Sequence, residues 1–229
     1  MESELKLANI IAIDGPAASG KSTLGLRLAQ ELGFLYFDTG VMYRALTWAV
    51  LAKDMDALNE PDVTALAGQV VIDVRQASVN DGRACDVLVD GRDVSWEIRT
   101  PQVEAHVSAV SAYAGVRTVM KDAQRLIGLR GRVVMVGRDI GTVVLPEAGL
   151  KIYLDASVEE RARRRFSELQ SRGDPAAYET ILAAMKKRDQ IDSTRAVAPL
   201  RPADDAVMIN SDGMSVEQVV DQVRSLLPK

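Results

Sequence analysis

The sequence predicts an α/β fold built on a five-stranded parallel sheet with helices on both faces, and three observations predict it. Short apolar runs recur at residues 10–13, 34–37, 133–136, 150–154 and 206–209. Helical patterns separate these runs, and strand-helix alternation of this kind makes a parallel sheet covered on both sides. The first run leads straight into Gly15-Pro16-Ala17-Ala18-Ser19-Gly20-Lys21-Ser22, a GxxxxGK[ST] match set between a strand and a helix.

Ile10-Ile11-Ala12-Ile13 reads as a buried strand, and after the glycine loop Leu24, Leu28 and Leu32 fall on one helix face, with Gly33 placed to close the helix. The second strand follows at 34–37. Between about residues 70 and 94 the rhythm breaks. Val70, Ile72 and Val74 alternate, Val87-Leu88-Val89 follows the turn-like Asn80-Asp81-Gly82, and Asp90-Gly91 supplies a second turn. That pattern is an antiparallel hairpin set, so a small β-rich module is inserted between the second and third core strands. Thr100-Pro101 marks an N-cap with proline at the first helical position, opening a helix through His106. Val116, Val119, Met120, Ala123, Leu126 and Ile127 share one helical stripe, and Gly131 stops that helix ahead of the third core strand. Ser157-x-x-Glu160 and Ser215-x-x-Gln218 are capping boxes that open helices after the fourth and fifth strands.

A chain of 229 residues suffices for one substantial domain with a smaller insertion. With 28 Lys and Arg against 32 Asp and Glu, the net charge of −4 offers no global attraction to nucleic acid or to an anionic membrane. The single cysteine, Cys85, excludes an internal disulfide, and the single histidine, His106, excludes a histidine-rich metal site and reads as structural. Met1-Glu2-Ser3-Glu4 lacks the basic start of a signal peptide, and no apolar run has membrane-spanning length. A soluble cytoplasmic protein is the expectation.

The chemistry begins at the glycine loop. Backbone N–H groups there curl around a β-phosphate, the helix N-terminus adds partial positive charge, Lys21 reaches the β- and γ-phosphates and Ser22 holds Mg²⁺. Asp38-Thr39-Gly40-Val41-Met42-Tyr43-Arg44 follows the second strand, at the carboxyl end where ligands of open α/β sheets collect. Arg44 reads either as a bidentate phosphate clamp or as a solvated surface arginine, and Tyr43 either as site or as core. Gly137-Arg138-Asp139-Ile140-Gly141-Thr142 takes the equivalent place after the third strand. Arg161, Arg163, Arg164 and Arg165 lie on the helix after the fourth strand, and Lys186-Lys187-Arg188-Asp189, Asp192 and Arg195 follow. Each run alone suits a solvated helix face, but phosphoryl transfer is mostly positioning plus stabilisation of negative charge by cations.

These residues together resemble the bacterial cytidylate kinases of the nucleoside monophosphate kinase superfamily, nearly end to end. The marks are Asp14-Gly15-Pro16, Asp38-Thr39-Gly40-x-x-Tyr43-Arg44, Asp93-Val94-Ser95 with Ile98-Arg99, Gly137-Arg138-Asp139-Ile140-Gly141-Thr142, and Arg188-Asp189 continuing to Arg195-Ala196-Val197-Ala198-Pro199-Leu200. The resemblance implies a single P-loop kinase domain over 1–229 with core strand order 2-3-1-4-5, an NMP-binding insertion at 66–113 and a lid at 161–180. It implies transfer of the ATP γ-phosphoryl group to CMP or dCMP, with Mg²⁺ bound alongside ATP, by a monomer. Ser108, Arg117 and Asp139 would read the cytosine edge with Thr39, and Tyr43 would be among the substrate-binding residues. Arg44, Arg138 and Arg195 would hold the monophosphate, and Arg188 and Asp192 would sit near the ribose. Lys21, Arg138, Arg188 and Arg195 would act on the transferring group. ATP would rest on Gly15, Pro16, Ala17, Ala18, Ser19, Gly20, Lys21, Ser22 and Thr23, with Arg161, Arg164 or Arg165 closing over it. One position departs from the family pattern. An acid immediately before Gly-Arg-Asp is common in relatives, whereas this chain has Val136 there, which leaves Asp38 and Asp14 as the nearest substitutes beside Ser22 for the metal. A kinase for UMP or another acceptor, and a P-loop switch that hydrolyses nucleotide, are the alternatives; the arginine set argues against the switch, which has no second anion to hold.

Overall fold

A computed structural model describes residues 9–171, 173, 175, 177–195 and 197–227. Its centre is β1 (Ile10–Asp14), every residue of which is buried. Strand β6 (Val133–Val136) pairs with it in parallel on one side and β7 (Leu150–Asp155) on the other. Adding β2 (Leu35–Asp38) and β8 (Val207–Asn210) completes a parallel sheet of order β2-β6-β1-β7-β8. Side chains alternate across a strand. Ile11 and Ile13 therefore face one layer, with Leu24 and Leu28 of helix α1 (Lys21–Leu32) and Val219, Val220 and Val223 of the C-terminal helix (Val216–Arg224). Ile10 and Ala12 face the other layer, formed by α2 (Gly40–Ala52), α3 (Glu60–Ala67) and the stripe helix (Ala114–Gly128).

The inserted module is a three-stranded antiparallel sheet of β3 (Ile72–Gln76), β4 (Cys85–Val89) and β5 (Arg92–Asp93). Asp90 and Gly91 both have positive φ, 50° and 82°, as a two-residue primed turn requires. Arg83 ties the longer loop down, pairing with Asp81, Asp86 and Asp93. Val74, Val87, Val89 and Ile98 belong to the same buried cluster as Phe37 and Met135, so the module shares the core of the main sheet.

Several expected boundaries move. The second core strand starts at Leu35, because the Phe34 amide is taken by the Ala29 carbonyl in the close of α1, where Gly33 sits at φ 62°. The last strand starts at Val207, since the Ala206 amide turns back to Ala203. The helix opened by Pro101, α4 (Pro101–Val110), runs a turn beyond His106. Its Thr100 gives no side-chain cap, its hydroxyl donating to Glu97. The Ser215 box forms on both sides. The Ser157 box forms only by half. The Glu160 amide reaches the Ser157 hydroxyl at 3.3 Å, but the Glu160 carboxylate goes to Arg163 and Arg164, a charge-assisted pairing stronger than its backbone alternative. The Ser157 amide donates to Asp212 instead. The expected lid region 161–180 begins inside helix α6 (Val158–Ser171) and ends in α7 (Tyr178–Thr194), with residues 172, 174 and 176 outside those described. No helix among the described residues is long and apolar enough to cross a membrane.

Candidate active site

The phosphate loop is held by sterics before any ligand is considered. Gly15 has φ 148°, and a Cβ there would lie 2.0 Å from the Leu154 carbonyl oxygen, so only glycine lets the loop leave β1 beside β7. The loop closes with the Ser19 amide donating to Pro16 and delivers Gly20 as the N-cap of α1, which puts the positive end of the helix at the cradle. Lys21 is buried, and its ammonium donates to the Pro16 carbonyl and to the Ser19 hydroxyl. Burial, with the Arg138 charge second, pushes its pKa down to about 7.

Arginines from α6 buttress this loop from the protein side. Arg161 is buried, donates to the Ala17 carbonyl at 3.2 Å and makes a two-pronged pair with Asp189 of α7. Arg164 is bound to Glu160 and to the hydroxyl and carbonyl of Ser211, whose hydroxyl is in turn 3.4 Å from the Ser19 carbonyl. Among the described residues Arg165 pairs along its own helix, with Glu168.

Ser22 stands 3.3 Å from a carboxylate oxygen of Asp38, and the other oxygen of Asp38 accepts from the Gly40 amide. Asp38 is paired in register with Val136 on the adjacent strand, so the carboxylate lies one strand over from Val136. Val136 is buried against α1; a Cβ on Gly25 would come within 2.6 Å of it. Asp14 is spent elsewhere, its two oxygens accepting from the Ile140 and Gly141 amides at 2.8 and 2.7 Å. Burial raises the Asp14 pKa to about 6 while those two N–H groups oppose the rise. Among the described residues no cluster of three or more His, Cys, Asp or Glu could cage a metal. A hydroxyl beside one carboxylate suits Mg²⁺, which keeps several waters and takes phosphate oxygens.

The acceptor-side residues expected from the sequence, Thr39, Tyr43, Arg44, Ser108, Arg117, Arg138, Asp139, Arg188, Asp192 and Arg195, all line one cavity of about 970 Å³. Ser22, Thr23 and Asp38 line its other end. The Thr39 hydroxyl donates to the Val136 carbonyl at 3.3 Å. Arg117 pairs with Asp139 at 3.1 Å and lies over the Tyr43 ring at 5.8 Å. Arg138 is bonded to Asp192, and Arg195 spans Asp139 and Asp192 at 3.7 Å each. Arg44 is paired with Glu104 at 2.6 Å. Burial raises the Asp139 pKa against the pull of Arg117, Arg195 and Arg138. Burial likewise lowers the pKa of Arg188 and Arg195, their arginine neighbours adding to it. Two buried donors, Arg117 Nε and Arg195 Nη2, have no hydrogen-bond partner among the described residues. Sequence reasoning missed Glu104, Ser111 and Arg99 as cavity residues. The 104, 108, 111 spacing, one face of a helix, was the available signal for the first two.

The model of the cytidylate kinase family matches residues 11–229 of this chain. The chain is 55% identical to a cytidylate kinase of Roseiflexus castenholzii over 213 residues, 93% of this chain and 90% of that one. It is 52% identical to the cytidylate kinase of Chloroflexus aggregans (94% and 92% covered) and 48% identical to that of Enterococcus faecalis (95% and 94%). With matches of this extent laid over a phosphate loop and an arginine-lined cavity beside it, the chain belongs to the cytidylate kinase family of P-loop nucleoside monophosphate kinases.

Proposed function

We propose that the chain transfers the γ-phosphoryl group of ATP directly to the phosphate of CMP, and of dCMP, in pyrimidine nucleotide metabolism. The observation that carries this reading is the charge of the cavity beside the phosphate loop: seven arginines face four carboxylates there, a surplus of three positive charges that a second anionic substrate would satisfy. Arg117 and Asp139 offer paired donor and acceptor groups suited to the polar edge of cytosine, with Thr39, Ser108 and Tyr43 around them. Arg44, Arg138 and Arg195 are guanidinium forks suited to the monophosphate. Arg188 and Asp192 serve the ribose, and the carboxylate accepts from a 2′-hydroxyl when one is present.

ATP lies along residues 15–23. Lys21 holds its β- and γ-phosphates, and Lys21, Arg138, Arg188 and Arg195 surround the group in flight, where negative charge develops. Ser22 and Asp38 would hold Mg²⁺, which when bound offsets the charge of the β- and γ-phosphate oxygens. The attacking phosphate oxygen is already ionised, so no general base is needed. Of Arg161, Arg164 and Arg165, Arg165 is the one best placed to turn toward ATP, because Arg161 and Arg164 are committed to Asp189, Ala17 and Ser211 while Arg165, among the described residues, holds an exposed pair with Glu168 on its own helix. In this reading residues 66–113 form the NMP-binding insertion and 161–180 the lid, within one P-loop kinase domain. Both half-sites come from a single chain, which supports action as a monomer on small molecules in the cytoplasm.

The test is an acceptor panel of CMP, dCMP, UMP and AMP with ATP and Mg²⁺, alongside phosphate release without acceptor. CMP and dCMP are expected to be the best acceptors, with little ATP consumed until one is added. Equal phosphate release with and without CMP would replace the kinase with a nucleotide hydrolase.

A further inference from the structure

Glu104 has no place in the reaction described above, yet it occupies the cavity. It sits on α4, the helix that follows the β-rich module, and shares the cavity-facing side with Ser108. Its carboxylate meets Arg44 Nη1 at 2.6 Å, and Arg44 comes from α2, the helix on which α4 packs. Its charge is also felt by Arg188 of α7. A carboxylate is thus aimed at the arginine that would clamp the acceptor phosphate and acts on a second arginine across the same cavity.

We propose that Glu104 is an affinity-setting residue of the acceptor site, a built-in anion that competes with the substrate phosphate for Arg44. The inference rests on the reading of Arg44 as a monophosphate clamp. A guanidinium offers a limited fork of N–H donors, and one arm of this fork is engaged by Glu104. An arriving phosphate either displaces the carboxylate or shares the guanidinium with a like charge beside it, and both routes cost affinity. The cost falls on the phosphate and spares the nucleoside, so Glu104 weakens every ligand that engages Arg44 through a phosphate and leaves a ligand without one untouched. The Glu104 side chain is 66% exposed, which keeps the competition modest.

The experiment is titration calorimetry of the full chain with CMP and with cytidine, using the natural protein, Glu104→Gln, Arg44→Ala and the double variant. Glu104→Gln removes the charge, keeps the shape and lies at an exposed position, so folding is not at stake. CMP is expected to bind Glu104→Gln about two- to fivefold more tightly than the natural protein, a gain of the size exposed ion pairs command. Cytidine affinity should stay the same, and the gain should shrink in the Arg44→Ala background and in high salt. Unchanged or weaker CMP binding by Glu104→Gln, with Arg44→Ala clearly weakened, overturns the inference and leaves the clamp reading intact. CMP binding unaffected by Arg44→Ala overturns both. A gain equal for CMP and cytidine also overturns the inference, because the phosphate would then play no part in it.

Discussion

Lys21 in the phosphate loop is held by a main-chain carbonyl and a hydroxyl, whereas Arg44, Arg117, Arg138 and Arg195 across the cleft are held by carboxylates. Lys21 has no carboxylate bonded to it among the described residues, and burial, with the Arg138 charge second, lowers its pKa to about 7 against the weaker pull of Asp38 and Asp14. Carboxylate partners keep the acceptor-side arginines largely compensated in pairs, each of which an incoming ligand must share or exchange. The donor half is therefore fixed by backbone geometry, with Gly15 and the start of α1 setting the cradle. Side-chain charge sets the acceptor half, so affinity and selectivity there can be tuned one residue at a time.

The contrast is broken most decisively at Lys21. Lys21→Ala is expected to lower kcat by more than about 10²-fold, the scale seen when one preorganised donor to a developing charge is removed. The melting temperature should not fall, because among the described residues no carboxylate pairs with this lysine and a desolvated charge is lost. Steady-state turnover at saturating ATP and CMP, read beside thermal unfolding, decides it; near-normal turnover would end the assignment of the donor half.

Arg117→Ala tests the other half and should act on one substrate. The KM for CMP is expected to rise about ten- to a hundredfold, the cost of a buried charged hydrogen bond of roughly 1.5–3 kcal/mol, while the KM for ATP moves less than about twofold. A second signature follows from Asp139, whose carboxyl is raised by burial and pulled back by Arg117 first among its partners. Without Arg117 it ionises at higher pH, so the acidic limb of the CMP pH profile should shift to higher pH. An effect confined to ATP would move this pair to the donor side.

The smallest effect sharpens the comparison. Bound phosphates favour the charged form of Lys21, so its pKa rises from about 7 toward its ordinary value on ATP binding. Near pH 8 the free lysine is mostly neutral, and binding should take up a fraction of a proton; the uptake fades as pH drops below about 6, where it is already charged. Calorimetry of ATP binding in buffers of different ionisation enthalpy reads this directly, with Lys21→Ala as control. No uptake at pH 8 would mean that Lys21 is already charged and that the two halves differ less than the geometry implies.

Legibility in the sequence followed the range of the interactions involved. The phosphate loop, β1 and α1 were readable because strand, glycine turn and helix face are written within about 25 consecutive residues. Gly33 and the Ser215 box were readable for the same reason. The Ser157 box failed where a local rule met a stronger local competitor, the two arginines a turn away from Glu160. Arg161 could be seen as a cation near a nucleotide site, but its partner Asp189 lies on another helix. Periodicity cannot reveal that pairing. Glu104 was invisible for a related reason: an acid on an amphipathic helix reads as solvated surface until the packing of α4 on α2 brings it to Arg44. The close fit of Val136 against Gly25 likewise joins residues more than a hundred positions apart.

Asp14 binds the two halves together. It immediately precedes Gly15, and its carboxylate holds the amides of Ile140 and Gly141, the residues that directly follow Arg138 and Asp139. One short side chain thereby fastens the loop that would carry the donor to the turn that would carry the acceptor. A reaction between two separate molecules is slow largely because their mutual position is a matter of chance, and effective concentrations of about 10⁵ M or more become available once that chance is removed. The distance between the anchoring loops is set when the chain folds, and the substrates inherit it. Asp14 thus acts as a spacer gauge, and an error of about 1 Å at this joint would cost turnover about 10²-fold while leaving each substrate's own contacts in place.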